Sequence, residues 1–446
     1  MKKNLLILFS LGLFIFFSVL LYYTIPYPNG HKELDSSEYE SVAHVFARTS
    51  KLSYPNGTMP NHTVGYHFFL GIFYRLYGEP ALPIIILAQI LLGILCCLLT
   101  YALALKLFTA PVALIALLGM ASNIGLLAYA QLLMADILLL VFLLAFLYTF
   151  VSFIYEQKKT YLIACALLLS ISVLIKPVAL YFIFPLLFFI IYPLYGLRER
   201  VNAAVLFALC FYAPICCYMG YNYCYYNVCA VTTLVQENLY IYFLPRRILP
   251  RLEPELQQRY MQQIESTTNN HERMRISGII FNELLKKRPF IFFFGWAESM
   301  FKVFFGTFCT QLKILYNQTI RGGCCSFFAM PGNTALQRLQ QYAQFGSIHP
   351  LLTAIAYLDI IWLLVRYLFV LLALLLLLYA NEYFWFLFFN CYMGYFTFVA
   401  GHDGGGRYRL MFEPLLIILA AYALVWVYQK WLGVHEKKYA NKIRAI

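Results

Sequence analysis

Apolar stretches about 20 residues long, enough to cross the hydrocarbon of a bilayer as a helix, recur along most of this 446-residue chain. In lipid a backbone amide has no water to bond, so each such stretch must satisfy its own N–H and C=O groups, and a continuous apolar run does so as a helix. The composition agrees. Hydrophobic residues make up 62% and charged residues 12%, against roughly 25% charged in soluble domains, and mean hydropathy is +0.71. The fold class expected is all-α and polytopic, with lipid as the main solvent.

The runs are Leu5–Tyr23, Leu82–Leu105, Pro111–Ala130, Leu133–Tyr155, Tyr161–Ile175, Val178–Leu194, Val201–Tyr221, Leu351–Tyr379, Tyr383–Val399 and Leu415–Trp431, about ten spans by length. The first follows Met1-Lys2-Lys3 and ends at Tyr22-Tyr23-Thr24-Ile25-Pro26 without a small-residue cleavage site, so it reads as an uncleaved anchor. Lys and Arg stay on the cytoplasmic side of short loops. Lys2, Lys3, Lys106, Lys158, Lys159, Arg198 and Arg200 fall at alternate span ends, as do Lys430, Lys437, Lys438, Lys442 and Arg444, which places the N-terminus in the cytoplasm. The formal net charge of +13 is thereby topogenic, and no pattern for binding nucleic acid competes with that reading.

Orientation depends on Lys176-Pro177, which separates two short runs. Proline disfavours helix in the preceding residue. A tight hairpin there keeps the later charges consistent, whereas one long kinked helix would reverse every subsequent loop. The chain then reads as a single domain, 1–446, with two outer regions. Residues 26–80 form a first outer loop in which Leu34 to Ser50 is an amphipathic helix. Residues 222–350 form a second region with surface helices over Pro254–Ser266 and Glu272–Lys287. Phe290–Phe308 is apolar but carries Trp296, Glu298 and Lys302, so it is expected to lie along the interface rather than across it.

On this count Asp35, Asp136 and the loop Gly401-His402-Asp403-Gly404-Gly405-Gly406-Arg407-Tyr408-Arg409 share the extracytoplasmic side. Asp35 fits a helix N-cap, but it is also placed to take the proton of an acceptor hydroxyl. Asp136 opens a helix of Leu, Val and Phe. An acid at that depth is costly and lines a polar cavity, or it rests on the helix dipole; as a functional group it would orient an acceptor or hold a metal. Lys176 either snorkels or holds a lipid phosphate. If the segment after the glycines is extended, Arg407 and Arg409 face one way and clamp one phosphate between two guanidiniums. His62, His67, Tyr39, Tyr66, His402 and Asp403 are further candidates for substrate contact. A base and an anion site at a membrane surface point to group transfer from a lipid phosphate. No His/Cys spacing marks a zinc site, no cofactor is specified, and a divalent cation is left open.

Several of the 12 cysteines, among them Cys96, Cys97, Cys165 and Cys210, lie in apolar runs as small hydrophobes. Cys224, Cys229, Cys324 and Cys325 are the ones placed to pair in an oxidising compartment. Asn56, Asn61 and Asn317 begin N-glycosylation triplets. Two other function classes are open. A transporter or flippase would show repeats and mid-membrane charge, and Asp359 and Arg366, about two turns apart on one helix, are its best support. A polysaccharide polymerase or ligase would use the arginines without needing Asp35.

Asp35-Ser36-Ser37-Glu38-Tyr39 with Ala43 resembles the first-outer-loop motif of GT-C membrane glycosyltransferases, in particular bacterial relatives of protein O-mannosyltransferases and lipid A aminoarabinose transferases. Gly65-Tyr66-His67-Phe68-Phe69-Leu70 with Tyr74-Arg75-Leu76-Tyr77-Gly78, Lys176-Pro177, and Arg407-Tyr408-Arg409-Leu410 with Pro414 resemble later segments of the same family in the same order. The resemblance implies a polyprenyl-phosphate-linked sugar donor and a glycan, lipid or protein acceptor. It also implies Asp35 as base and Asp136 as second acid, with Lys176, Arg407 and Arg409 on the donor phosphate; one carboxylate suffices for a single-displacement, inverting transfer, without the carboxylate pair of hydrolases. The setting it implies is a bacterial cytoplasmic membrane with the site outside. Two residues depart from the pattern: Ser36 stands where the family often has a second acid, and His67 where many relatives have proline.

Overall fold

The structure is a computed structural model, and it describes residues 2–26, 29–32, 34–78, 81–267, 270–317, 327, 330–347 and 349–432. Among these there is helix and irregular chain and no strand. Cys324, Cys325, most of the Asn317 triplet and the basic residues from Lys437 onward lie outside the described residues.

The first apolar run is helix α1 (Lys2–Thr24). The outer loop that follows folds into α2 (Leu34–Thr49) and α3 (Val64–Tyr77), packed on one another. Then come α4 (Leu82–Leu107), α5 (Ala110–Ala121), α6 (Ile124–Gln131), α7 (Asp136–Glu156), α8 (Lys159–Ile175), α9 (Ile183–Ile191) and α10 (Leu197–Tyr226). The second outer region holds α11 (Leu234–Glu237), α12 (Pro254–Glu265), α13 (Asn270–Lys287), α14 (Pro289–Phe305), α15 (Cys309–Tyr316) and α16 (Ala335–Gln344). The last spans are α17 (Pro350–Tyr379), α18 (Tyr383–Val399) and α19 (Glu413–Trp431).

Seven of the described helices are long and apolar enough to cross a membrane, and α5 with α6, bent by 46°, make an eighth. The protein is therefore an integral, multi-pass membrane protein. The two remaining expected spans are shorter apolar pieces on either side of Lys176. Their path is a hairpin. Phe182 lies against Tyr392 and Phe396 (centroids 5.4 and 5.8 Å apart), and ten residues later Tyr192 lies against Phe384 at 5.8 Å. The chain thus runs back down α18 after Lys176 has turned it.

The two ends of the bundle differ in charge. At one end Lys3 sits over the Tyr101 ring, and Lys106 and Lys158 bond Glu156 at 3.0 and 2.9 Å. The α2–α3 pair and the second outer region cover the other end. There Tyr226, at the end of α10, donates to the Leu52 carbonyl. Helix α14 buries Phe292, Gly295, Ser299 and Val303 and exposes Phe290, Phe293, Phe294 and Phe301, an amphipathic surface helix. Cys224 and Cys229 are free and exposed, while Cys96, Cys97 and Cys165 are buried thiols.

Candidate functional site

The first turn of α2, the first residue of α7, the tip of the α8–α9 hairpin and the turn before α19 converge at the covered end. Arg407 joins them. Its Nη1 donates to Asp35 Oδ2 at 2.9 Å, and its Nε lies 3.2 and 3.1 Å from the two oxygens of Asp136. Lys176 Nζ donates to Asp136 Oδ1 at 3.0 Å and stands over the Tyr408 ring at 5.2 Å. Asp136 is 2% exposed and Asp35 36%. Asp136 thus neutralises and aims two cations from below, while Asp35 closes the cluster from the side open to water.

Local sequence explains each placement. Lys176 precedes proline and takes the extended backbone that Pro177 enforces (φ −153°, ψ 124°), which stops α8 and lifts the ammonium toward Asp136. Helix α3 approaches this tip through Gly65, where a Cβ would lie 2.9 Å from the Ile175 Cα. The loop bearing Asp35 is stitched to the chain before Asp136. Leu133 N–H donates to the His31 carbonyl at 2.9 Å, His31 Nδ1 meets the Gln131 carbonyl at 2.8 Å, and Ser36 Oγ donates to the Leu133 carbonyl at 3.0 Å. Ser36 therefore supplies a buried donor; an ionised carboxylate at this position would have no proton to give that carbonyl.

The remaining candidates separate. Tyr39 hydroxyl and His62 Nδ1 are 3.3 Å apart, and His62 Nε2 is 3.5 Å from Glu38 Oε2, which also accepts from Tyr54 at 2.9 Å. Tyr66 is buried and donates to Gln89 at 2.7 Å; Gln89 donates in turn to the Leu132 carbonyl, also at 2.7 Å. His67 is buried with Nδ1 3.4 Å from the Tyr39 carbonyl. His402 Nδ1 meets the Val399 carbonyl at 2.9 Å and its Nε2 lies 3.4 Å from the Tyr408 hydroxyl. Asp403 is exposed, and its backbone carbonyl accepts from Arg247.

The paired-arginine clamp does not form. Gly406–Met411 is a 3-10 turn rather than an extended segment, and in such a turn side chains two residues apart point about 120° apart. Arg407 faces Asp35. Arg409 turns inward, fully buried, to Glu413 at 3.0 Å and to the carbonyls of Phe304 and Gly306. Asp359 and Arg366 likewise do not pair: Asp359 accepts from Cys309 N–H at 2.9 Å, and Arg366 donates to Glu413. Among the described residues no group of three His, Cys, Asp or Glu is arranged to hold a metal.

Burial pushes the Asp35 carboxyl up, but Arg407, with His62 and Lys176 behind it, outweighs this and holds it below the usual carboxylate range. Burial takes His62 down to about 4, so its imidazole is neutral at pH 7. Burial and the neighbouring Asp35 raise Glu38. Sequence reasoning passed over Glu38, Gln89 and His31. Only Glu38 carried a signal, lying three residues after Asp35 and so on the same helical face.

This arrangement can now be set beside known proteins. The archaeal oligosaccharyltransferase AglB from Archaeoglobus fulgidus, in complex with an inhibitory peptide and a dolichol-phosphate, superposes with a TM-score of 0.55 at 12% identity, over 96% of this chain and 50% of that one. The chain has the fold of the GT-C membrane glycosyltransferases. A second structure of the A. fulgidus enzyme, tethered to an acceptor peptide, matches with the same TM-score and identity over 99% and 52%. The chain spans about half the length of these GT-C enzymes. The sequence profile of the dolichyl-phosphate-mannose-protein mannosyltransferase family matches residues 61–218. ArnT from Cupriavidus metallidurans bound to undecaprenyl phosphate aligns at 14% identity and TM-score 0.42, over 93% of this chain and 77% of that one. No curated protein matches the sequence.

Proposed function

We propose that this protein transfers a sugar from a polyprenyl-phosphate carrier to an acceptor hydroxyl, on the extracytoplasmic face of a bacterial cytoplasmic membrane, with inversion and with Asp35 as the general base. One observation carries the reading: a carboxylate open to water and a buried Lys–Asp–Arg group meet through Arg407 at one end of the bundle. Lys3, Lys106 and Lys158 at the other end, with the tendency of such residues to remain cytoplasmic, support this sidedness. The archaeal enzyme of the same fold is seen with a dolichol-phosphate and a peptide, which supports a lipid-linked donor and leaves the acceptor class open.

In the reaction the acceptor oxygen attacks the anomeric carbon from the face opposite the phosphate while Asp35 takes its proton. The bond between the anomeric carbon and the phosphate oxygen breaks, and its electron pair stays on that oxygen. Lys176 and Arg407 stabilise the charge developing there, which is the main electrostatic contribution. A single carboxylate suffices for one displacement. Arg407 also sets the order of events. With Arg407 bonded to Asp35 the base is weak; a donor phosphate that draws the guanidinium away raises the basicity of Asp35 just when an electrophile is present. An apolar cleft of about 270 Å³ between α14, α17 and α18, lined by Phe304, Phe305, Tyr367 and Met393, gives the lipid tail a path beside this end of the molecule.

The test is Asp35→Asn in membranes supplied with polyprenyl-phosphate sugars. Loss of transfer with undecaprenyl-phosphate binding retained is the expected result, and wild-type turnover would refute the base. Retained transfer after Asp35→Asn combined with loss after Arg407→Ala would favour the polymerase or ligase alternative.

A further inference from the structure

Behind the catalytic end lies a second ionic cluster that the transfer chemistry does not use. Glu413, the first residue of α19, is fully buried between two guanidiniums, Arg409 on one carboxylate oxygen at 3.0 Å and Arg366 of α17 on the other. The oxygen facing Arg366 also accepts from Asn123 Nδ2 at 2.8 Å, and the Asn123 side chain caps α6 by accepting from Leu126 N–H at 2.9 Å. Arg409 in turn donates to the last carbonyls around α14, those of Phe304 and Gly306, and lies 4.2 Å over the Phe308 ring. A buried charge cluster is a doubtful source of stability compared with apolar packing of the same volume, so its placement calls for another reason.

Arg407 and Arg409 leave the same short turn toward different partners, Arg407 to Asp35 and Asp136 and Arg409 to Glu413. Arg409 pulls the end of α14 onto that turn, and the contact made there is glycine on glycine: a Cβ on Gly306 would lie 2.7 Å from the Gly406 Cα, and one on Gly406 would lie 3.0 Å from the Gly306 carbonyl carbon. Gly406 is the residue before Arg407. Through Asn123 the same carboxylate holds α6, whose C-terminal residue Gln131 leads directly to Asp136. We infer that Glu413 is a positioning residue: by gripping Arg409 and Asn123 it seats Gly406 on Gly306 and fixes Arg407 against Asp136 in the geometry that receives the donor phosphate. This rests on the lipid-phosphate reading above and adds to it a residue that never touches substrate. Arg409 then serves the anion site from behind.

The experiment is a double-mutant cycle on the full chain in lipid nanodiscs, with undecaprenyl phosphate alone as the probe and native mass spectrometry as the readout. Arg407→Ala should weaken binding. Glu413→Gln and Gly306→Ala should each weaken it roughly tenfold, a size in the range found for coupled neighbours, and should add almost nothing in the Arg407→Ala background. A general loss of structure would instead multiply with Arg407→Ala. Full multiplication, or wild-type affinity of both single variants, overturns the inference while leaving the transferase reading standing. If Glu413→Gln does not fold, Gly306→Ala decides alone, since it alters the contact without removing a charge. Wild-type affinity of Arg407→Ala would overturn the phosphate reading, and this inference with it.

Discussion

Asp35 and Arg407 are bonded in the structure, and that bond makes the base adjustable. Because Arg407 holds the Asp35 carboxyl below its usual range, the acid limb of kcat/KM should lie below the ordinary carboxylate pKa of about 4, with rate falling as pH falls. In Arg407→Ala the counter-charge goes and burial remains, so the limb should move to higher pH; a pH–rate profile of the two proteins checks this. Asp35→Asn should lower turnover by about 10²–10⁴-fold, the usual contribution of a positioned base, measured with saturating lipid-linked donor. Folding carries the same sign. The Asp35–Arg407 bond adds stability above the unfolded pKa and loses it as pH falls through the lowered folded value. Ser36→Ala leaves the buried Leu133 carbonyl without its side-chain donor and should cost about 1–3 kcal/mol, read from thermal unfolding in detergent.

The α8–α9 hairpin and the α2–α3 pair are the elements that bring the charges together. Each is short, and the two meet where α3 starts and α8 ends. Gly65 at the start of α3 lies so close to Ile175 at the end of α8 that a methyl group there must displace one of them. Gly65→Ala should therefore destabilise by about 1–3 kcal/mol, as overpacking does, and should also lower activity by moving Lys176 away from Asp136; melting temperature and turnover measured together check this. The turn before α19 illustrates the opposite dependence. Its glycines were readable as a place where backbone approaches something closely, but whether the turn is extended or 3-10 decides which arginine meets substrate. That choice is made by Arg409 finding Glu413 and two carbonyls inside, contacts with residues distant in sequence or hidden at a helix start.

In the whole molecule, charge sorts the ends and the bundle connects them. Accessibility follows from this: a cysteine introduced at Asn56 and one at Lys159, both exposed, in a background lacking the native exposed thiols, should react with an impermeant reagent from opposite sides of sealed vesicles. Reaction of both from one side would break the topology, and with it the extracytoplasmic site. Asp359 and Arg366, which looked like the mid-membrane charges of a transporter, belong instead to the packing behind the site, bonded to Cys309 and Glu413.

The all-helical class, the ten apolar segments, the turn at Lys176-Pro177 and the convergence of Asp35, Asp136, Lys176 and Arg407 at one end were legible in the chain, because lipid allows few backbone solutions and charge repeats at alternate ends. Which way Arg409 points, what anchors the chain just before Asp136, and what the Ser36 hydroxyl bonds were not legible. Those answers depend on partners such as Glu413, Phe304 and Leu133, which only helix packing brings within hydrogen-bonding distance.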